Sequence, residues 1–233
     1  MSVEPSEAPE VTMTMPLAIA PTRSYTGVRW RATAALACLV AFPIAVALVQ
    51  LVQPDDYAPL SHPMSELALG NAGVVMGLAF CAMGAGTVLV ASVLRSTVQR
   101  MRVTPVLLLV AGVLDLVAGV FRTNASGTPP TAVSNVHALA AVSVFLLMMA
   151  AMFASYRSMR RDLHWSGFAP WSLAWAALSV PAFLLMPILG ENLYGLSQRI
   201  FVGLFLTWLI TVALIARRHG NELSPQETEL GAR

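Results

Sequence analysis

Asp115 stands inside an otherwise apolar run, Val103 to Phe121, and Arg122 follows it by seven residues at the end of that run. On a helix this spacing sets carboxylate and guanidinium on one face, roughly 10 Å apart along the axis. Gly112 and Gly119 share that face. A carboxylate within a membrane span costs about 2.5 to 3.5 kcal/mol on insertion scales, so it turns to a partner or a wet cavity rather than to lipid. The chemistry open to it is an ion pair with Arg122, ligand binding, or service as the coupling carboxylate of a small transporter.

The other residues capable of chemistry are Asp55, Asp56, His62, Ser65, Glu66, His137, Glu191 and Arg199. Glu66 begins a stripe with Gly70, Gly73, Gly77 and Gly84, whose helical spacing turns the carboxylate inward and makes Gly73 and Gly77 a small-xxx-small helix contact. His62, His137, Glu66 and Asp115 are the side chains a metal would take in a membrane-embedded hydrolase. No two histidines share a helix face at ligand spacing, so no metal and no cofactor is expected. Ser65 has no base beside it in sequence and reads as a helix cap rather than a nucleophile. His137 opens an apolar run and reads as a polar cap or half of an ion pair.

The elements that must position these residues follow from composition. The chain has 233 residues, 57% hydrophobic and only 11% charged, with a mean hydropathy of +0.69, too apolar for a soluble surface. Apolar runs at about 32–52, 67–94, 103–121, 136–156, 169–189 and 200–216 match the roughly 20 residues that a membrane helix needs. The expected fold is all-α, a polytopic six-transmembrane-helix bundle over residues 29–218, with disordered tails at 1–28 and 219–233. The first run is too long for a signal peptide and reads as an anchor helix. The start of the second reads as an interfacial turn or tilted helix end, Pro181 and Pro187 predict a kink or early stop in the fifth, and 191–199 reads as a polar link. Cys38 and Cys81 lie in apolar runs and act as small hydrophobes, and Met148, Met149 and Met152 as apolar filling.

All 14 basic residues are Arg. With both termini in the cytoplasm, twelve of them fall inside and only Arg122 and Arg199 outside, as the positive-inside rule requires for six helices. The chemically capable residues then gather at or near the outer face. No basic stripe with interleaved aromatics is present, which argues against a nucleic-acid partner.

The order of His62-Pro63-Met64-Ser65-Glu66-Leu67, Gly119-Val120-Phe121-Arg122, His137 and Gln198-Arg199-Ile200-Phe201 resembles the bacterial and archaeal membrane family catalogued as domain of unknown function 998. The resemblance spans Ala32 to Arg218 and implies a six-helix bundle in a bacterial plasma membrane, with polar residues at the outer face; it supplies no activity. In that family the position of Glu66 is more often Asp and that of Arg122 often Pro, so an Asp115–Arg122 ion pair would be peculiar to this chain. Kinship with membrane hydrolases of the alkaline ceramidase type fails, because the last span here has no His between Ile200 and Ala216.

The expected function is non-enzymatic: an outward-facing pocket lined by Ser65, Glu66, Asp115, Arg122, His137 and Arg199 that binds a lipid head group or small polar molecule. The alternatives are a metal-dependent lipid hydrolase and a small transporter coupled through Asp115. A transporter of six spans with no similarity between its halves would need to dimerise.

Overall fold

In hydrocarbon an apolar segment must satisfy its own backbone N–H and C=O groups, and the helix does so within a single run. The computed structural model describes residues 25–53 and 57–222. Its long elements are α1 Tyr25–Gln50, α2 Gly73–Thr97, α3 Val103–Val120, α4 Ala132–Met159, α5 Ala169–Ile188 and α6 Gly190–Glu222, with a short 3₁₀ turn at Met64–Ala68. Six helices are long and apolar enough to cross a membrane, and no strand occurs among the described residues. Lipid is therefore the surrounding medium. The expected tails lie mostly outside the described residues, as do Asp55 and Asp56; residues 25–28 and 219–222 belong to α1 and α6.

Each helix packs on its neighbour in sequence and α6 closes onto α1, so the chain runs up and down around a ring. One end, called here the loop end, carries residues 51–53, 57–72, 121–131 and the α5–α6 turn. The other, the arginine end, carries residues 98–102 and 160–168, joined where Asp162 Oδ2 accepts the Gln99 N–H at 2.9 Å. Arg31 on α1 reaches Ser92 on α2 at 2.5 Å near the same end.

Two boundaries depart from the sequence reading for identifiable reasons. The polar stretch 191–199 is not a link but the start of α6: Leu189 alone separates the helices, and Gly190 turns the chain at φ +65°, where a side chain would be strained. Glu191 then sits in the first turn of α6, where a carboxylate favours the helix dipole. The long second run begins, as expected, with a turn, the 3₁₀ turn Met64–Ala68, before α2. Helix α4 starts at Ala132 because Thr131 and Ser134 form a reciprocal capping box, Ser134 N to Thr131 Oγ1 at 3.2 Å and Thr131 N to Ser134 Oγ at 2.9 Å. Helix α5 continues through Pro181 and stops one residue after Pro187.

Helices α2 and α3 touch backbone to backbone. A Cβ placed on Gly84 would stand 2.5 Å from the Gly112 carbonyl oxygen, and one on Gly119 would stand 2.8 Å from that of Gly77. The contact pairs Gly77 and Gly84 with Gly119 and Gly112, whereas Gly73 meets the Ala68 carbonyl instead. This close approach holds Asp115, one turn from Gly112, on the buried side of α3.

Candidate functional site

The His62-Pro63 step begins the site. Pro63 is extended at φ −65° and ψ 152° and cannot continue a helix backward, so the chain enters the 3₁₀ turn abruptly. All five residues of that turn are buried. Gln198 of α6 anchors it by accepting the Met64 N–H at 2.8 Å. Successive side chains of the turn then serve different spaces: Ser65 lines a small interior cavity, while Glu66 lines a hollow at the loop end beside Tyr57.

Glu66 Oε1 accepts the backbone N–H of Ser126 at 2.7 Å and also the Ser126 hydroxyl, which ties the α3–α4 loop to the turn. His62 Nδ1 stands 3.8 Å from Glu66 Oε2 but accepts the Ala58 N–H at 3.3 Å. A nitrogen with its lone pair turned to that N–H has no proton for Glu66, so the serine contacts hold the carboxylate.

The interior cavity is about 30 Å³, room for one water molecule. Its polar wall is Ser65, Asp115, His137 and Gln198, each more than nine-tenths buried; Phe42, Phe80 and Phe145 close it. Among the described residues, Asp115 Oδ2 has no hydrogen-bond partner. His137 Nδ1 lies 2.8 Å from the Phe121 carbonyl and 3.0 Å from that of Ala118, so Nδ1 carries a proton shared between two end carbonyls of α3. In the neutral ring, Nε2 is then left with a free lone pair. The imidazole thus caps α3 from α4 and contributes a wall of the cavity.

Above the turn, a groove of about 560 Å³ opens at the loop end between Ser61 and His62, Ser126 and Gly127, and the α5–α6 turn with Glu191, Asn192 and Tyr194. A second hollow of about 310 Å³ lies on the other side of His62 and Ser126, against Gln53 and Tyr57.

Arg199 serves structure. Its Nη1 donates to the carbonyls of Pro59 at 2.6 Å, His62 at 3.0 Å and Gly195 at 3.0 Å, and its Nη2 to Tyr57 Oη at 2.6 Å and Gln50 Oε1 at 3.4 Å. Gly195 lets the 58–62 loop pass close enough for its own N–H to reach the Ser61 carbonyl at 3.2 Å. Burial raises the Tyr57 hydroxyl above its ordinary value of 10.0, against the opposing pull of the Arg199 charge.

The six candidates therefore separate. Ser65, Asp115 and His137 share the cavity; Glu66 and Arg199 fasten loops; Arg122 is exposed beyond the end of α3. The expected Asp115–Arg122 pairing does not form, because α3 stops at Val120 and the chain leaves the helix before Arg122 can return to the Asp115 face. Ser65 is not a helix cap either: no side-chain cap bond is made at the turn or at α2. Sequence reasoning missed Ser126 and Tyr57, loop residues with no periodic signal, and passed over Gln198 although it adjoins Arg199.

Among the described residues no three His, Cys, Asp or Glu side chains come together as a metal-binding group. His62 and Glu66 line the hollow beside Tyr57 while Asp115 and His137 face the cavity, with the 3₁₀ turn between them. No curated protein and no solved structure matches the chain. A family described as protein of unknown function (DUF998) matches residues 32–215, from early α1 to late α6, and the chain belongs to that family.

Proposed function

We propose that this is a non-enzymatic protein of a bacterial plasma membrane, with both termini cytoplasmic, whose loop end faces outward and binds a lipid head group or small polar molecule. The observation that carries this reading is the groove of about 560 Å³ between the 61–62 loop, the 126–127 loop and the α5–α6 turn, a volume suited to a small ligand. Its polar lining is hydroxyl, amide, imidazole and the Glu191 carboxylate, with Met186 and Pro187 as the apolar part. No arginine lines it, since Arg199 is engaged by five acceptors elsewhere. That lining favours a neutral, zwitterionic or amine-bearing group over an anion.

Mass spectrometry of protein purified in mild detergent tests the reading. A co-purifying lipid or polar metabolite is expected, and it should fall about tenfold with Glu191→Gln combined with Asn192→Ala. Retention unchanged in that variant would overturn it. Orientation has its own test: in a background with Cys38 and Cys81 replaced by Ser, an impermeant thiol reagent outside cells should label a cysteine at Asn124 and not one at Ser158. The reverse pattern would invert the assignment.

A second reading is favoured by the lone Asp115 Oδ2 in the interior cavity: a small transporter in which Asp115 takes and releases a proton. Proton flux into proteoliposomes, measured with an entrapped dye, should vanish with Asp115→Asn if it holds. Flux that is absent in wild type, or indifferent to the substitution, rejects it.

A further inference from the structure

We infer that the arginine end of the α2–α3 seam is a binding site for an anionic phospholipid, independent of the loop-end groove. The seam changes character along its length. In the half nearer the loop end, Gly77 and Gly84 meet Gly119 and Gly112 with no room for a side chain. In the other half, a groove of about 550 Å³ opens between the same helices.

The walls of that groove are apolar: Val88 and Ala91 on α2, and Pro105, Val106 and Leu109 on α3. Its mouth holds Ser92, Arg95 and Arg102. From Arg102 to Leu109 a helix rises roughly 10 Å, a depth that would accommodate part of an acyl chain. Val106 and Leu109 are 59% and 46% exposed, so the groove opens sideways toward hydrocarbon rather than into the bundle.

The charge at the mouth is available. Arg95 gives one bond from Nη1 to the Met101 carbonyl at 3.3 Å, leaving the rest of its donors unused among the described residues. Arg102 is exposed and makes no hydrogen bond or ion pair there. Asp162, the acid whose side chain is described at this end, accepts the N–H groups of Gln99 and His164 at 2.9 and 3.0 Å and does not line the groove. Two guanidinium groups with no acid partner among the described residues, over an apolar slot between membrane helices, match a phosphate with its acyl chain beneath it. A free phosphate would use the arginines and leave the slot unexplained.

Native mass spectrometry of the detergent-purified chain, given equal amounts of phosphatidylglycerol and phosphatidylcholine, tests this. Wild type should retain phosphatidylglycerol about tenfold over phosphatidylcholine, by the attraction of two arginines for an anionic lipid. Arg95→Gln with Arg102→Gln should bring the two lipids to parity. The double Lys variant should keep the preference, which separates lost charge from a misfolded seam. Leu109→Trp, which fills the slot and keeps both arginines, should lower retention of phosphatidylglycerol and leave inorganic phosphate unable to replace it. Three results would each overturn the site: no preference in wild type, a preference that survives the double Gln variant, or one lost on replacing Arg157, Arg160 and Arg161 instead.

Discussion

Glu66 and Ser126 lie sixty positions apart in sequence, and one carboxylate oxygen of the first receives both the backbone N–H and the hydroxyl of the second. The contact holds the α3–α4 loop over the 3₁₀ turn and so separates the loop-end groove from the hollow beside Tyr57. Hydrogen bonds to a charged acceptor contribute about 1.5 to 3 kcal/mol. Glu66→Ala should therefore release residues 122–131, seen as faster amide exchange in that segment alone. Ser126→Ala keeps the backbone bond and should have a smaller effect. Equal exchange in wild type and Glu66→Ala would show that the loop is held by something else.

The glycine contacts between α2 and α3 make a second expectation. A methyl group at Gly84 or Gly112 would meet the facing carbonyl oxygen at 2.5 or 2.7 Å, and backbone cannot yield as a side-chain tip can. Overpacking of this kind costs about 1 to 3 kcal/mol. Gly84→Ala and Gly112→Ala should each lower the thermal midpoint in detergent. Gly203→Ala is the control, because a Cβ there meets nothing within 4 Å. A similar loss in all three would mean that the effect is not steric.

How far the sequence spoke depends on the kind of signal each feature leaves. Six apolar runs announce six spans because length and hydropathy are all that a span requires. Gly112 and Asp115 were rightly set on the buried face of α3, since one helical turn relates them. The same periodicity misled at Arg122, where it was carried past the end of the helix. It misled again over 191–199: polarity resembled a link, but Ser197 and Gln198 are buried polar residues of a helix whose partner is the 3₁₀ turn and its approach. Glu66 with Ser126 and Arg199 with Pro59 each join a helical turn to a distant loop, and single-chain spacing carries no record of such meetings.

Arg199 and Tyr57 give a pH dependence. The Tyr57 hydroxyl donates to the Pro63 carbonyl at 3.4 Å and accepts from Arg199. Burial raises its proton affinity in the docked loop above that of a free tyrosine, whose value is 10.0. A group raised in this way adds stability that is complete below the free value and is lost as pH climbs through the raised one. Docking of the 57–63 loop should therefore be constant from neutral pH to about 10 and should weaken above it. Amide exchange of Leu196, whose N–H is bonded to the Leu60 carbonyl at 2.9 Å, reports the change. In Tyr57→Phe the alkaline step should disappear; a step that persists there belongs to another group.

Asp115 and His137 carry the last expectation, because they face one water-sized cavity and, among the described residues, no hydrogen bond or ion pair joins them: Oδ2 of Asp115 has no partner there, and the imidazole gives its Nδ1 proton to α3. A buried carboxylate without a counter-charge weakens a fold, so Asp115→Asn, which keeps the shape, should hold or raise the thermal midpoint. Had the carboxylate been half of a buried salt bridge, the same change would lower stability by about 3 to 5 kcal/mol. His137→Phe should lower the midpoint by uncapping Ala118 and Phe121. If a water joins the two side chains, the double variant will depart from the sum of the single ones by about 0.5 kcal/mol or more, whereas independent groups add to within that margin. A midpoint that drops in Asp115→Asn as far as in His137→Phe would mean that the carboxylate holds the bundle together, and its lone oxygen would lose its claim to a function.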